Sequence, residues 1–181
     1  MKMDKDICRV MFNAEELQGA CKRLGEQITK DYEGKDLLVV GILNGAVVFC
    51  TDLIRKVDQH LNIDFMSVSS YGAGTTSSGT IKLIKDLNSD ISGRDVLIVE
   101  DILDTGKTLK NLKDMLLQRN PASLKIAVLL DKPARREEDI YADYIGYTIP
   151  DAFVVGYGLD YAEKYRNLPY IGVLEPCVYS N

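Results

Sequence analysis

Apolar residues recur along this chain in two rhythms, one helical and one continuous. Leu17, Ala20, Cys21, Leu24 and Ile28 fall at helical spacing, and Asn13 followed by Glu16 has the form of a capping box. A helix is therefore predicted from Asn13 to about Asp31. Leu37–Leu43 shows no polar alternation, as expected of a strand covered on both faces, which points to a parallel sheet. Asn44-Gly45 then makes a tight turn into a second amphipathic helix over 46–57. Asn62–Ser70 reads as a strand with Ile63, Phe65 and Val68 inward, and 80–87 as the return strand of a long hairpin. Between them, 71–79 carries three glycines and four small hydroxyl residues and reads as a mobile loop. Residues 95–99 and 124–130 repeat the buried-strand pattern. They flank a helix over 105–119 whose Leu109, Leu112, Met115 and Leu116 point inward. Short strands are predicted at Tyr144–Thr148, 153–157 and Ile171–Leu174. Strands alternating with helices, without a repeat or a linker, imply one α/β domain over residues 1–181 with crossover connections.

Composition narrows the function classes. At 181 residues, with 46% hydrophobic and 27% charged positions, the chain can bury a core without disulfides. Lys and Arg number 22 against 27 Asp and Glu, a net charge of −5, so a nucleic-acid partner is not expected, though a local anion site is compatible with this balance. The longest apolar runs, Leu37–Leu43 and 96–99, fall far short of the roughly 18 residues that span a bilayer. Residues 1–8 alternate charges with no apolar stretch behind them, so no secretory signal is expected. Cys8, Cys21, Cys50 and Cys177 form no C-x-x-C pair, and with the single His60 they lack the clustering zinc requires. The expectation is a reduced, cytoplasmic protein.

Two glycine-containing segments are near-misses. Gly106-Lys107-Thr108 ends like a Walker A loop, but the glycine that motif needs at position 101 is Asp101. Gly72-Ala73-Gly74 fails as a dinucleotide fingerprint, because position 77 is Ser and no helix follows. The informative run is Val96-Leu97-Ile98-Val99-Glu100-Asp101-Ile102-Leu103-Asp104-Thr105-Gly106-Lys107-Thr108-Leu109. Its buried strand delivers Glu100 and Asp101 to the carboxyl end, where open α/β sheets bind ligands. The helix-start amides with the Thr105 and Thr108 hydroxyls make a cradle suited to phosphate. The acidic pair suits sugar hydroxyls or Mg²⁺ instead. The plainer reading of Asp104 is an N-cap for a helix beginning at Thr105.

This run resembles the phosphoribosyl-pyrophosphate motif of the type I phosphoribosyltransferases: apolar strand, acidic pair, Asp-Thr-Gly-Lys-Thr. Val128-Leu129-Leu130-Asp131-Lys132-Pro133, the segment from Pro150 to Tyr161, and Tyr165-Arg166-Asn167-Leu168-Pro169 are similar in order and spacing to the hypoxanthine-guanine members. The likeness extends from Gly41 to Leu174. It implies the type I fold: a mainly parallel central sheet flanked by helices, a flexible hairpin loop and a small base-binding hood.

The resemblance also implies roles. Asp104 is placed as the general base that takes the purine proton, a sensible role for a carboxylate within reach of the ring nitrogen. Lys132 is placed on the 6-oxo group, favouring hypoxanthine or guanine over adenine, since an ammonium only donates. Phe153 would stack on the purine, Val154 would offer backbone groups to its edge, and Asp160 would be a further metal-associated carboxylate beside it. Glu100, Asp101, Asp104, Thr105, Gly106, Lys107 and Thr108 would hold ribose and phosphate, with Glu100, Asp101 and Asp160 directed to Mg²⁺. Leu43, Asn44, Gly45 and Arg166 would bind pyrophosphate, although the family usually carries Lys or Arg where this chain has Asn44. Ser69, Ser70, Tyr71 and Gly72 would begin a lid that excludes water from a ribosyl centre with oxocarbenium character. The implied reaction joins a 6-oxopurine to phosphoribosyl pyrophosphate, and the implied assembly is a homodimer or homotetramer. Two rival readings share the motif: a xanthine-preferring transferase, and a regulatory nucleotide-sensing member that binds RNA, which the acidic balance opposes.

Overall fold

The structure, a computed structural model, describes residues 2–70 and 81–180. A short 3₁₀ turn leads into β1 (Ile7–Phe12), then α1 (Ala14–Asp31), β2 (Leu37–Leu43), α2 (Val47–Ile54), β3 (Asn62–Ser70), β4 (Ile81–Lys85), β5 (Asp95–Leu103) and α3 (Lys107–Leu117). They are followed by β6 (Ser123–Asp131), β7 (Tyr144–Thr148), β8 (Val154–Val155), β9 (Ile171–Leu174) and the single-turn α4 (Pro176–Tyr179). The main sheet is six-stranded in the order β4-β3-β2-β5-β6-β7, and β1-β9-β8 form a second, three-stranded sheet. Within the main sheet all pairings are parallel except β3 with β4, the hairpin at one edge. Among the described residues no helix is long and apolar enough to cross a membrane.

The unbroken apolar run of β2 follows from its position inside the sheet. Leu37 and Val39 pack with Leu17, Leu24 and Ile28 of α1 and Phe49 and Leu53 of α2, while Leu38, Val40 and Ile42 pack with Leu109, Leu112 and Leu116 of α3. Each such side chain taken fully out of water contributes roughly 1.5–3 kcal/mol. The capping box is present as predicted: the Glu16 amide donates to Asn13 Oδ1 at 3.0 Å, and the Asn13 amide to Glu16 Oε2 at 2.8 Å.

Several boundaries move for local reasons. α2 ends at Ile54, after which the Lys56 and Val57 amides reach only three residues back and tighten the turn. β5 continues past Val99 to Leu103, because β6 keeps pairing with it as far as Leu103 opposite Asp131. The strand expected over 153–157 shortens to Val154–Val155, since Gly156, Tyr157 and Gly158 all take positive φ. Ile63 is 45% exposed, contrary to expectation, while Met66 and the carboxylate of Asp64 are buried. Asp64 turns inward because it has partners there: the amides of Phe65 and Asn88, the Asn88 side chain and Lys85 Nζ at 3.2 Å. The predicted hairpin forms, with Ser70 opposite Ile81. Ser69 and Ser70 close β3, whereas Tyr71 and Gly72, with the rest of the expected lid, lie outside the described residues.

Candidate active site

β2, β5 and β6 run parallel, so Leu43, Leu103 and Asp131 all arrive at the same end of the sheet. Beyond β5 the chain turns through Gly106 at φ 89°, a left-handed conformation that glycine adopts without strain, and α3 starts at Lys107. Asp104 is therefore not the helix cap; the Lys107 amide is directed at Thr105 Oγ1 at 3.5 Å. Freed from capping, the Asp104 carboxylate has one buried oxygen, Oδ1, with no hydrogen-bond partner. Its other oxygen lies 3.4 Å from Arg135 Nη1 and 3.9 Å from Lys132 Nζ. A buried acceptor left open in this way is costly unless a ligand completes it.

Two cavities adjoin this loop. One, of about 210 Å³, is lined by Glu100, Asp101, Thr105, Gly106 and Thr108, five of the residues expected to hold ribose and phosphate, together with apolar neighbours. Lys107 does not line it, and its ammonium is ion-paired to Glu137 at 2.5 Å. The other, of about 130 Å³, gathers Asp104, Lys132, Phe153, Val154 and Asp160. It is completed by Ile102, Arg135 and Leu159, which sequence reasoning missed because nothing in their local pattern sets them apart.

Lys132 is 4% exposed, not a solvated surface lysine. Its ammonium donates to the Ala152 carbonyl at 2.9 Å and lies 3.6 Å from Asp151, a partner sequence reasoning also left out. Phe153 is 38% exposed and backed by two rings, Tyr179 stacked at 4.7 Å and Tyr161 edge-on at 5.6 Å. Val154 is buried by pairing with Val173 of β9.

The expected pyrophosphate turn sits against the acidic pair. The Leu43–Asn44 peptide is cis. A Cβ placed on Gly45 would fall 1.8 Å from Asp101 Oδ2, and one on Gly158 would fall 2.1 Å from the Gly45 carbonyl oxygen. Gly45 thus lies against the Asp101 carboxylate, and its carbonyl against the backbone of Gly158, with no room for a side chain at either glycine. Arg166 joins them: it donates to the Gly158 carbonyl at 2.9 Å and pairs with Asp160 at 2.9 Å.

Burial pushes the Glu100 carboxyl up, and the neighbouring Asp101 charge pushes it further. Burial also raises Asp101, against the Ile102 amide and the Arg166 charge. Among the described residues no three His, Cys, Asp or Glu side chains converge to enclose a metal. The pair nevertheless fits Mg²⁺, which takes one or two carboxylates and completes its shell with water and substrate oxygens, and two crowded acids are stabilised by a dication.

Residues 12–162 match the phosphoribosyl transferase domain family. The chain is 58% identical over 179 residues to the hypoxanthine-guanine phosphoribosyltransferase of Staphylococcus aureus, covering 99% of this chain and 100% of that one. A crystal structure of a Staphylococcus aureus hypoxanthine phosphoribosyltransferase superposes with a TM-score of 0.97 at 57% identity, covering 100% of this chain and 98% of that one. A Bacillus anthracis hypoxanthine-guanine phosphoribosyltransferase, with a HEPES molecule in its active site, superposes at 0.90 and 47% identity, covering 93% and 99%. With its motif on the end of β5 and this likeness running the length of the chain, the protein belongs to the phosphoribosyltransferases, in their hypoxanthine-guanine family.

Proposed function

We propose that this chain is a purine-salvage enzyme that joins hypoxanthine or guanine to phosphoribosyl pyrophosphate, forming IMP or GMP and pyrophosphate, with Asp104 as general base and Mg²⁺ as cofactor. The observation that carries this reading is one small cavity holding Asp104, Lys132, Phe153, Val154 and Asp160 beside the phosphate cradle. In it, Lys132 donates to the 6-oxo group, Phe153 covers one purine face, and the backbone at Val154 meets the ring edge. The purine N9 bonds to the ribose C1 as the bond from C1 to the pyrophosphate oxygen breaks, the electron pair leaving with pyrophosphate. The N–H proton passes to the Asp104 carboxylate, which lines this cavity. Glu100 and Asp101 accept from the ribose hydroxyls, the amides and hydroxyls of Thr105 to Thr108 hold the 5′-phosphate, and Gly45 with Arg166 meets the departing pyrophosphate. Glu100 and Asp101, with Asp160 nearby, would hold Mg²⁺, which would supply charge neutralisation for the leaving group.

The same reading includes a single domain acting in the cytoplasm as a homodimer or homotetramer, which sedimentation of the purified protein measures. The function is tested by pyrophosphate release from phosphoribosyl pyrophosphate and Mg²⁺ with each of hypoxanthine, guanine, xanthine and adenine. Turnover with the first two and little with adenine is expected. Preference for xanthine, or binding without release, would overturn it.

A further inference from the structure

We propose that Arg136, on the loop after β6, is a positioning residue that sets the direction of the Asp104 carboxylate by holding the backbone on both sides of it. The inference rests on the general-base reading above. The guanidinium is only 14% exposed. Its Nε donates to the Asp104 carbonyl at 3.0 Å, its Nη1 to the Ile140 carbonyl at 2.7 Å, and its Nη2 to the Leu103 carbonyl at 3.2 Å and to Asp131 Oδ1. The Leu103 carbonyl belongs to the peptide plane before the Asp104 α-carbon, and the Asp104 carbonyl to the plane after it. Holding both planes fixes φ and ψ at that carbon, and with them the bond along which the carboxylate leaves the backbone.

The neighbouring residues extend the clamp. The Lys132 amide donates to the Leu103 carbonyl at 3.0 Å, and the Glu137 and Glu138 amides donate to the Thr105 carbonyl at 2.9 and 3.2 Å. Three consecutive carbonyls of the phosphoribosyl loop are thus tied to the segment 132–138. That segment begins with the lysine assigned to the 6-oxo group, so base recognition and proton removal share one support. Gly106 leaves room for it: a Cβ there would fall 3.1 Å from Arg136 Cδ and 2.7 Å from Ile140 Cγ2. Only a planar fork reaches several carbonyls and a carboxylate at once, so lysine, though equally charged, cannot replace it.

The test compares the full-length protein with Arg136→Lys, Asp104→Asn and the double variant, measuring kcat at saturating hypoxanthine and phosphoribosyl pyrophosphate. Arg136→Lys is expected to lower kcat by about 10- to 100-fold, the scale of a small displacement of a reacting group. In the Asp104→Asn background the same change should cost less than about twofold, because its route to the reaction has already been removed. Loss of the same size in both backgrounds, or normal turnover of Arg136→Lys, would overturn the proposal. Amide hydrogen exchange at residues 103–106 of the ligand-free protein gives a readout independent of activity: it should quicken in Arg136→Lys, and unchanged exchange refutes the clamp. If Arg136→Lys does not fold, Asp131→Asn, which loosens the same guanidinium without removing it, is expected to shift kcat and exchange in the same directions, and failure to shift either counts against the proposal. If the wild type forms no IMP or GMP, the functional reading fails, while exchange still decides the clamp.

Discussion

Tyr179 stacks on Phe153 with ring centroids 4.7 Å apart and 18° between planes, so the last helix of the chain backs the ring assigned to the purine. Phe153 then has one face packed and keeps exposed surface for a base. Tyr179→Ala is expected to raise the KM for hypoxanthine while leaving that for phosphoribosyl pyrophosphate unchanged. A stacked pair contributes about 0.5–1.5 kcal/mol, which corresponds to roughly 2- to 13-fold. Tyr179→Phe, which keeps the ring, should behave as wild type in the same steady-state assay.

Lys132→Ala removes a buried ammonium that donates to the Ala152 carbonyl and that we propose donates to the 6-oxo group. Hypoxanthine affinity should fall by about 1.5–3 kcal/mol, the range for a charge-assisted hydrogen bond. Donor affinity, measured by calorimetry with phosphoribosyl pyrophosphate and Mg²⁺, should hold. Equal losses for base and donor would mean a general disturbance of the loop.

Gly45→Ala places a methyl group 1.8 Å from Asp101 Oδ2, so either the turn or the carboxylate must move. Overpacking of this kind costs about 1–3 kcal/mol. Because both groups are proposed to meet the pyrophosphate and ribose, donor binding should weaken by tenfold or more in calorimetry, with the variant still folded by circular dichroism. Undiminished donor binding would separate this turn from the site.

Glu100→Gln should stabilise the ligand-free protein at neutral pH. Burial and the Asp101 charge hold the native Glu100 carboxyl above its unfolded value, so the folded state binds its proton more tightly. The penalty therefore appears as pH rises past about 4.3, the unfolded value, and is complete above the raised native one. Thermal unfolding should show a higher Tm for the variant at pH 7.5, by about 2–4 °C for each kcal/mol relieved, and the difference should vanish near pH 4. Mg²⁺ plus donor should stabilise the variant less than the wild type, since an amide is a poorer ligand.

Asp64→Ala tests the opposite sign. Burial alone would raise this carboxyl, but the amides of Asn88 and Phe65 and the Lys85 ammonium outweigh it and hold it below the usual range. The stabilisation is present above the unfolded pKa of about 3.9 and is lost as pH falls through the lower native value. Removing the carboxylate strands several donors at the base of the β3–β4 hairpin, at about 1–3 kcal/mol for each one left buried and unpaired. Urea unfolding at pH 7 should show the loss, and the gap to wild type should narrow below about pH 3.

What the sequence determined is what neighbouring residues decide together. The capping box at Asn13 and Glu16 and the doubly buried run of β2 are local patterns, and each forms where its pattern places it, while the acidic pair lies inside β5, which runs on to Leu103. Tertiary structure decided the rest. β1 alternates too weakly to announce itself and exists because β9, from the far end of the chain, supplies its hydrogen bonds. Ile63 looks like a core residue until the sheet leaves it half exposed, while Asp64 is drawn inward by donors that arrive with Lys85 and Asn88. Asp104 reads as a helix cap until Gly106 takes a left-handed turn and moves the helix start past it. Arg136, Tyr179 and Arg135 carry no motif at all. Their importance lies in the backbone carbonyls, ring face and carboxylate that folding places beside them, and periodicity along a chain holds no record of distances across it.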